Sequence, residues 1–134
     1  MKKLFIILAV TSLLSSCSKD KDPAPESTDL GAQVAGTYQI SKAEFNGTKV
    51  TLPSNGVSMS VKLTRISDTS ADLFLTSTIN GSNTSGGGTV TLVKSGSKII
   101  IKDTASDMGY VEGKLIHLEG KDATGIAYVA DGSR

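Results

Sequence analysis

The chain has 134 residues, 38% of them hydrophobic, 20% charged and 4% aromatic, with no Trp and a single Cys. That length suits one domain, one Cys excludes a disulfide framework or a Cys-based zinc cluster, and neither a metal nor a cofactor is expected. Fourteen basic residues against 13 acidic ones give no electrostatic argument for nucleic acid as a partner.

Met1-Lys2-Lys3 supplies a positive start, Leu4 to Leu14 an apolar run, and Ser15-Ser16-Cys17 a small-residue exit. Charge, apolar run and small residues in that order make a secretory signal peptide. The run falls well short of the roughly 20 apolar residues that cross a bilayer. Leu14-Ser15-Ser16-Cys17 also resembles the bacterial lipobox, in which an aliphatic residue and two small residues precede Cys. The resemblance implies cleavage between Ser16 and Cys17, diacylglycerol on the Cys17 sulfur, and acylation of the new amino terminus. Residues 1–16 are then the signal peptide, and the mature chain is a lipoprotein held at the bacterial cell envelope, in the outer membrane. Acyl chains at about 0.8 kcal/mol per buried methylene anchor a protein to a membrane without a spanning helix. Loss of residues 1–16 removes Lys2 and Lys3 but no acidic residue, so the mature chain is close to neutral.

Residues 17–29 carry two Pro, many charges and no aliphatic side chain larger than Ala, a composition that cannot bury enough surface to fold. They read as a flexible tether. Ser18-Lys19-Asp20-Lys21-Asp22 resembles the Lys/Asp-type export signal of Bacteroidetes surface lipoproteins, although a Lys interrupts the acidic residues. Display on the cell surface and a plain solvated linker both remain open. From Thr28 to Ala35 the spacing predicts one or two helical turns, capped by Thr28 or Asp29, with Leu30 and Val34 on one face.

Residues 30–134 read as an all-β domain. Val57 to Thr64 alternates apolar and polar residues without a fault, the mark of a strand with one buried face. Strands are expected at 37–45, 48–53, 57–66, 71–79, 88–95, 98–103, 108–118 and 123–130. Asn46-Gly47 is a preferred two-residue hairpin turn, and Asn55-Gly56 and Ser95-Gly96 are further turn signals. Residues 80–88, rich in Gly, Ser and Asn, read as one long loop. Consecutive hairpins favour an eight-stranded up-and-down barrel preceded by a short helix, with a β-sandwich as the alternative.

The helical lead, Gly36-Thr37-Tyr38 opening the first strand, and the Asn-Gly hairpin are similar to the lipocalin-like domains of bacterial lipoproteins. Lipocalins usually carry Gly-x-Trp there, and Tyr38 stands at the Trp position. The resemblance implies binding of a small apolar molecule inside a barrel, without catalysis. Its expected contacts are Tyr38, Ile40, Met59, Val61, Leu73, Leu75, Leu115, His117 and Tyr128. Val57, Leu63, Leu92 and Ile126 are further inward candidates. A mouth ringed by Tyr38, Tyr110 or Tyr128 would mark a binder. A filled barrel with an apolar patch near Ile99–Ile101 would mark a structural or protein-interaction module, an inhibitor or adhesin for example.

His117 is the chain's only histidine, and no nucleophile or carboxylate stands at a sequence spacing that makes it catalytic. The pairs Asp68/Asp72 and Asp103/Asp107 flank expected turns, where Asp caps the backbone. Lys94, Lys98 and Lys102 gather on one hairpin without interleaved aromatics, a pattern of solvated strand faces.

Overall fold

Asn46 (φ 48°) and Gly47 (φ 84°) adopt the left-handed pair that a tight antiparallel hairpin needs, and Asn80 (φ 50°) with Gly81 (φ 84°) repeats it. These turns and their neighbours organise the computed structural model, which describes residues 27–104, 106–122 and 124–134. The expected signal peptide, with Ser16 and Cys17 at its expected cleavage site, and most of the expected tether lie outside the described residues.

A helix, α1 (Leu30–Val34), precedes nine strands. These are β1 (Gly36–Phe45), β2 (Thr48–Thr51), β3 (Val57–Ser67), β4 (Ser70–Ile79), β5 (Ser82–Ser95), β6 (Lys98–Lys102), β7 (Asp107–Glu112), β8 (Leu115–Lys121) and β9 (Ala127–Ser133). All pairings are antiparallel between neighbours, and β9 returns to β1, closing a barrel of eight strands from which β2 stands outside. Closure is possible because β1 bends. Its first residues, Gly36–Gln39, pair with β3, while Lys42–Phe45 pair with β2, and a bulge at Ser41 separates the two registers on β9.

Two expectations about the strands are corrected. Residues 80–88 are not a loop: after the Asn80-Gly81 turn, Ser82–Thr91 pairs with β4 without a register break. Glycine is tolerated there because outward Phe74 lies opposite Gly87, and inward Gly86 faces open space. Residues 108–118 are not one strand but two, broken by a turn at Gly113 (φ 60°). The sandwich alternative does not describe a closed ring.

Alternation then fixes the core. Met59, Val61 and Leu63 of β3, Leu73 of β4, Val90 and Leu92 of β5, Ile99 and Ile101 of β6, and Ile116 and Leu118 of β8 all turn inward and are buried. Ile100 faces out between Val93 and Tyr110, so the Ile99–Ile101 run is mainly core.

The two ends of the barrel differ. At one end, α1 packs Leu30 and Val34 against the core, and Asp29 caps it by accepting the Ala32 N–H at 2.8 Å. Tyr38, fully buried, donates its hydroxyl to the Val34 carbonyl at 2.8 Å. Arg134 lies 5.1 Å from the Tyr38 ring and donates to the carbonyls of Gln33 and Ala35. Its cation thus meets the negative end of the helix and an aromatic face together. That end is sealed. The turns at residues 46–47 and 80–81, the end of β6, the start of β7, the end of β8 and the start of β9 ring the other end.

Candidate functional site

The open end leads into a cavity of about 850 Å³, within the range that holds small organic ligands. Its apolar wall is built by Phe45, Met59, Leu73, Leu75, Met108, Leu118 and Tyr128, and Ser77 and Thr84 add hydroxyls. Register explains the space. Leu75 pairs with Gly86 and Ser77 with Thr84, so the β5 side of the inner wall carries no bulky side chain. Before Thr91, from Ser82 to Val90, β5 has no ladder with β6, and the upper part of the barrel is therefore open along one side as well as at its rim.

Tyr128 stands at the junction of wall and rim. It pairs with Gly120 on β8, whose missing side chain leaves room for the ring: a Cβ there would lie 3.1 Å from the phenol oxygen. Burial pushes the Tyr128 phenol up from its ordinary value, and the carboxylates of Asp103 and Asp122 push it further. Asp122 accepts from the N–H and hydroxyl of Thr124 and from the Ile126 N–H, so its carboxyl is held below the usual range.

The expected contact residues separate into three groups. Met59, Leu73, Leu75 and Tyr128 line the cavity. Tyr38, Ile40 and Val61 are buried below it and fill the sealed half, so Tyr38 is not a mouth residue. Leu115 and His117 are corrected outright: they lie on the outer face, Leu115 being 59% exposed, because Ile116 and Leu118 hold the inward positions of β8. Ile126 is likewise exposed. Met108, Phe45 and the Gly86 gap complete the site and were not anticipated. The Asn80-Gly81 turn signal was the clue to the last of these.

On the outer face, His117 has company that its sequence neighbours do not announce. Its Nδ1 lies 2.6 Å from Oδ1 of Asp131, its Nε2 3.8 Å from Glu119, and its ring stacks on Tyr110 at 5.1 Å. Lys98 Nζ sits 3.9 Å from the centre of the Tyr110 ring. A general base would need a nucleophile in hydrogen-bond reach. Ser41, which shares the shallow groove beside His117, directs its hydroxyl to the Asp131 carbonyl at 3.4 Å instead. The cluster is an electrostatic and stacking contact between strands. Among the described residues, no grouping of His, Cys, Asp and Glu could hold a metal ion.

The carboxylate pairs serve the backbone and its neighbours. Asp103 accepts the Ser106 N–H at 2.9 Å, Asp107 pairs with Lys102 at 3.0 Å, Asp68 with Arg65 at 2.7 Å, and Asp72 accepts the Thr89 hydroxyl at 2.8 Å.

No protein-family model matches the chain, and no curated protein matches it. Among solved structures, it is similar to a redesigned beta barrel, with a TM-score of 0.53 and 17% sequence identity. That match covers 79% of this chain and 95% of the other. At such identity the likeness bears on the fold alone.

Proposed function

We propose that this protein is a lipid-anchored lipoprotein of the bacterial cell envelope that binds a small apolar ligand in its barrel, without catalysis. The apolar cavity of about 850 Å³ at the open end carries this reading. The seal at the opposite end supports it, since α1, Tyr38 and Arg134 make the barrel a cup with one mouth. The His117–Asp131 pair lies on the outer wall, away from the cavity lining, which favours binding over chemistry.

The anchor reading rests on Leu14-Ser15-Ser16-Cys17 and the apolar run before it. The chain enters the domain at α1, on the sealed end, so a tether from Cys17 joins the barrel at the end opposite its mouth. Residues 17–29 reach at most about 45 Å when fully extended. That length sets the distance from the bilayer within which the cup meets its ligand.

Native mass spectrometry of the protein purified from its own cells tests the binding reading. A species heavier than the acylated chain by the mass of one small molecule is expected, and a bare mass together with no uptake of apolar fluorescent probes refutes it. For the anchor, Cys17→Ser should abolish acyl labelling and move the protein out of the membrane fraction. Unchanged fractionation refutes that part alone.

A further inference from the structure

We propose that the free edge of β5 is a docking site for an extended segment of a partner protein, which adds to the barrel as a strand and seats apolar side chains in the cavity. This goes beyond the small-ligand reading and shares with it only the cavity.

The backbone of β5 has two sides. The Asn80-Gly81 turn makes Ile79 and Ser82 the closing pair of a two-residue hairpin, and the Gly96-Ser97 turn does the same for Ser95 and Lys98. In an antiparallel ladder, hydrogen-bonded and non-hydrogen-bonded pairs alternate from such a closing pair. The even-numbered residues from Ser82 to Val90 therefore direct N–H and C=O to β4, and the odd-numbered residues of β5 direct theirs to the opposite side. There, Thr91, Val93 and Ser95 meet β6. Asn83, Ser85, Gly87 and Thr89 meet no strand, since β6 ends at Lys102, opposite Thr91. Each of the four offers one donor and one acceptor, in a row that continues the line of β6. All four are exposed.

A row of backbone donors and acceptors is complemented by another backbone, which identifies the occupant as a strand. Exposed edges are ordinarily blunted by charge, proline, bulges or brevity. The outer edge of β2 follows that rule, with four residues, Lys49 among them and Pro53 just beyond. Ser82–Val90 does not: it has no charged residue, no Pro and no register break against β4.

The side chains of the added strand are specified too. Those opposite Thr84, Gly86 and Gly88 point inward, toward the wall of Met59, Leu73 and Leu75. A Cβ on Gly86 or Gly88 would meet no atom within 4 Å, so large apolar side chains opposite them find room. The segment therefore carries apolar residues at every second position. A second copy of this chain offers nothing of the kind at these edges: β5 would present Ser82, Thr84, Gly86 and Gly88, and β2 has Val50 as its one apolar residue.

The test uses the full-length protein and a fluorescently labelled peptide, Lys-Thr-Val-Thr-Phe-Thr-Val-Thr-Lys. In the free protein, amide exchange should alternate along β5, fast at Asn83, Ser85, Gly87 and Thr89 and slow at Thr84, Gly86 and Gly88. Bound peptide should slow the fast set. Backbone N-methylation at the Thr residues flanking Phe removes hydrogen bonds to β5 and should weaken binding about five- to tenfold per methyl. N-methylation at Val or Phe, whose N–H groups point away from β5, should change affinity by no more than about twofold. Ser85→Pro removes one edge N–H while sparing the β4 ladder and should weaken binding like one methyl. The methylated peptides carry the test alone if that variant does not fold. Even protection along β5 in the free protein, no binding of the peptide, or equal loss from both methylation sets overturns the docking site. A dimer in sedimentation that is lost in Ser85→Pro assigns the edge to a second copy and overturns the partner. Uptake of apolar probes in any of these cases leaves the small-ligand reading standing.

Discussion

Replacing Gly86 with Leu separates a cavity that matters from a gap that does not. Gly86 lies opposite Leu75 in the β4–β5 ladder, and a Cβ built on it meets no atom within 4 Å. A leucine side chain there extends into the open space without displacing backbone. It fills the room of about four methylene-sized groups, each worth about 0.8 kcal/mol of ligand burial, so close to 3 kcal/mol of binding is lost. That corresponds to roughly a hundredfold rise in Kd. Stability should hold or rise, because glycine in a strand interior costs about 0.5–1 kcal/mol relative to alanine. Gly87→Leu is the contrasting variant. Its Cβ would stand 1.8 Å from the Leu73 carbonyl oxygen, so the strand itself must shift, at a cost of about 1–3 kcal/mol or more. Urea denaturation gives the stabilities, and titration with an apolar fluorescent probe gives the affinities. If Gly86→Leu binds like the parent protein while remaining folded, the ligand does not occupy this cavity and the reasoning fails.

At the sealed end, Tyr38→Phe removes the bond to the Val34 carbonyl and should cost about 1–2 kcal/mol without affecting probe affinity. Arg134→Ala should loosen α1 first, seen as faster amide exchange at Gly31–Ala35 than in the parent; equal protection would show the arginine to be idle. Acid should also act locally. The Asp29 carboxyl is lowered chiefly by the Ala32 N–H, against some desolvation, with Arg65 adding to the lowering. A folded-state value below the unfolded one gives stability that is present above the unfolded value and lost as pH falls through the folded one. Denaturation midpoints should therefore drop as pH falls below about 4, and Asp29→Asn should flatten that slope. Finally, His117→Ala should leave ligand affinity unchanged and alter stability by no more than about 1 kcal/mol, as partly exposed ion pairs do. A loss of binding would return His117 to the site.

The sequence made the barrel legible wherever one face of a strand was apolar and the other polar. Val57–Thr64 left no choice of register. Leu115-Ile116-His117-Leu118 did, because apolar side chains occupy both parities, and only the turn at Gly113 decides that Val111 pairs with Ile116. The inward assignment of Leu115 and His117 was therefore a slip of one residue, which reverses every side chain on a strand. The glycines of β5 misled differently. They carry no hydrophobic signal, so pattern alone gives them no face, and their contribution to the site is the volume they leave empty. Asp131 was hidden for another reason: its meeting with His117 depends on the β8–β9 register and not on any local spacing.

The pairing of β1 with β9 has a consequence for how the molecule is made. The ring joins residues from the two ends of the domain, Gln39 with Ser133 for instance, so no shorter piece of the chain can complete it. Topologies dominated by such distant contacts fold slowly, in milliseconds to seconds. A chain that still lacks its last strand leaves the ring open, so closure waits for Ala127–Ser133.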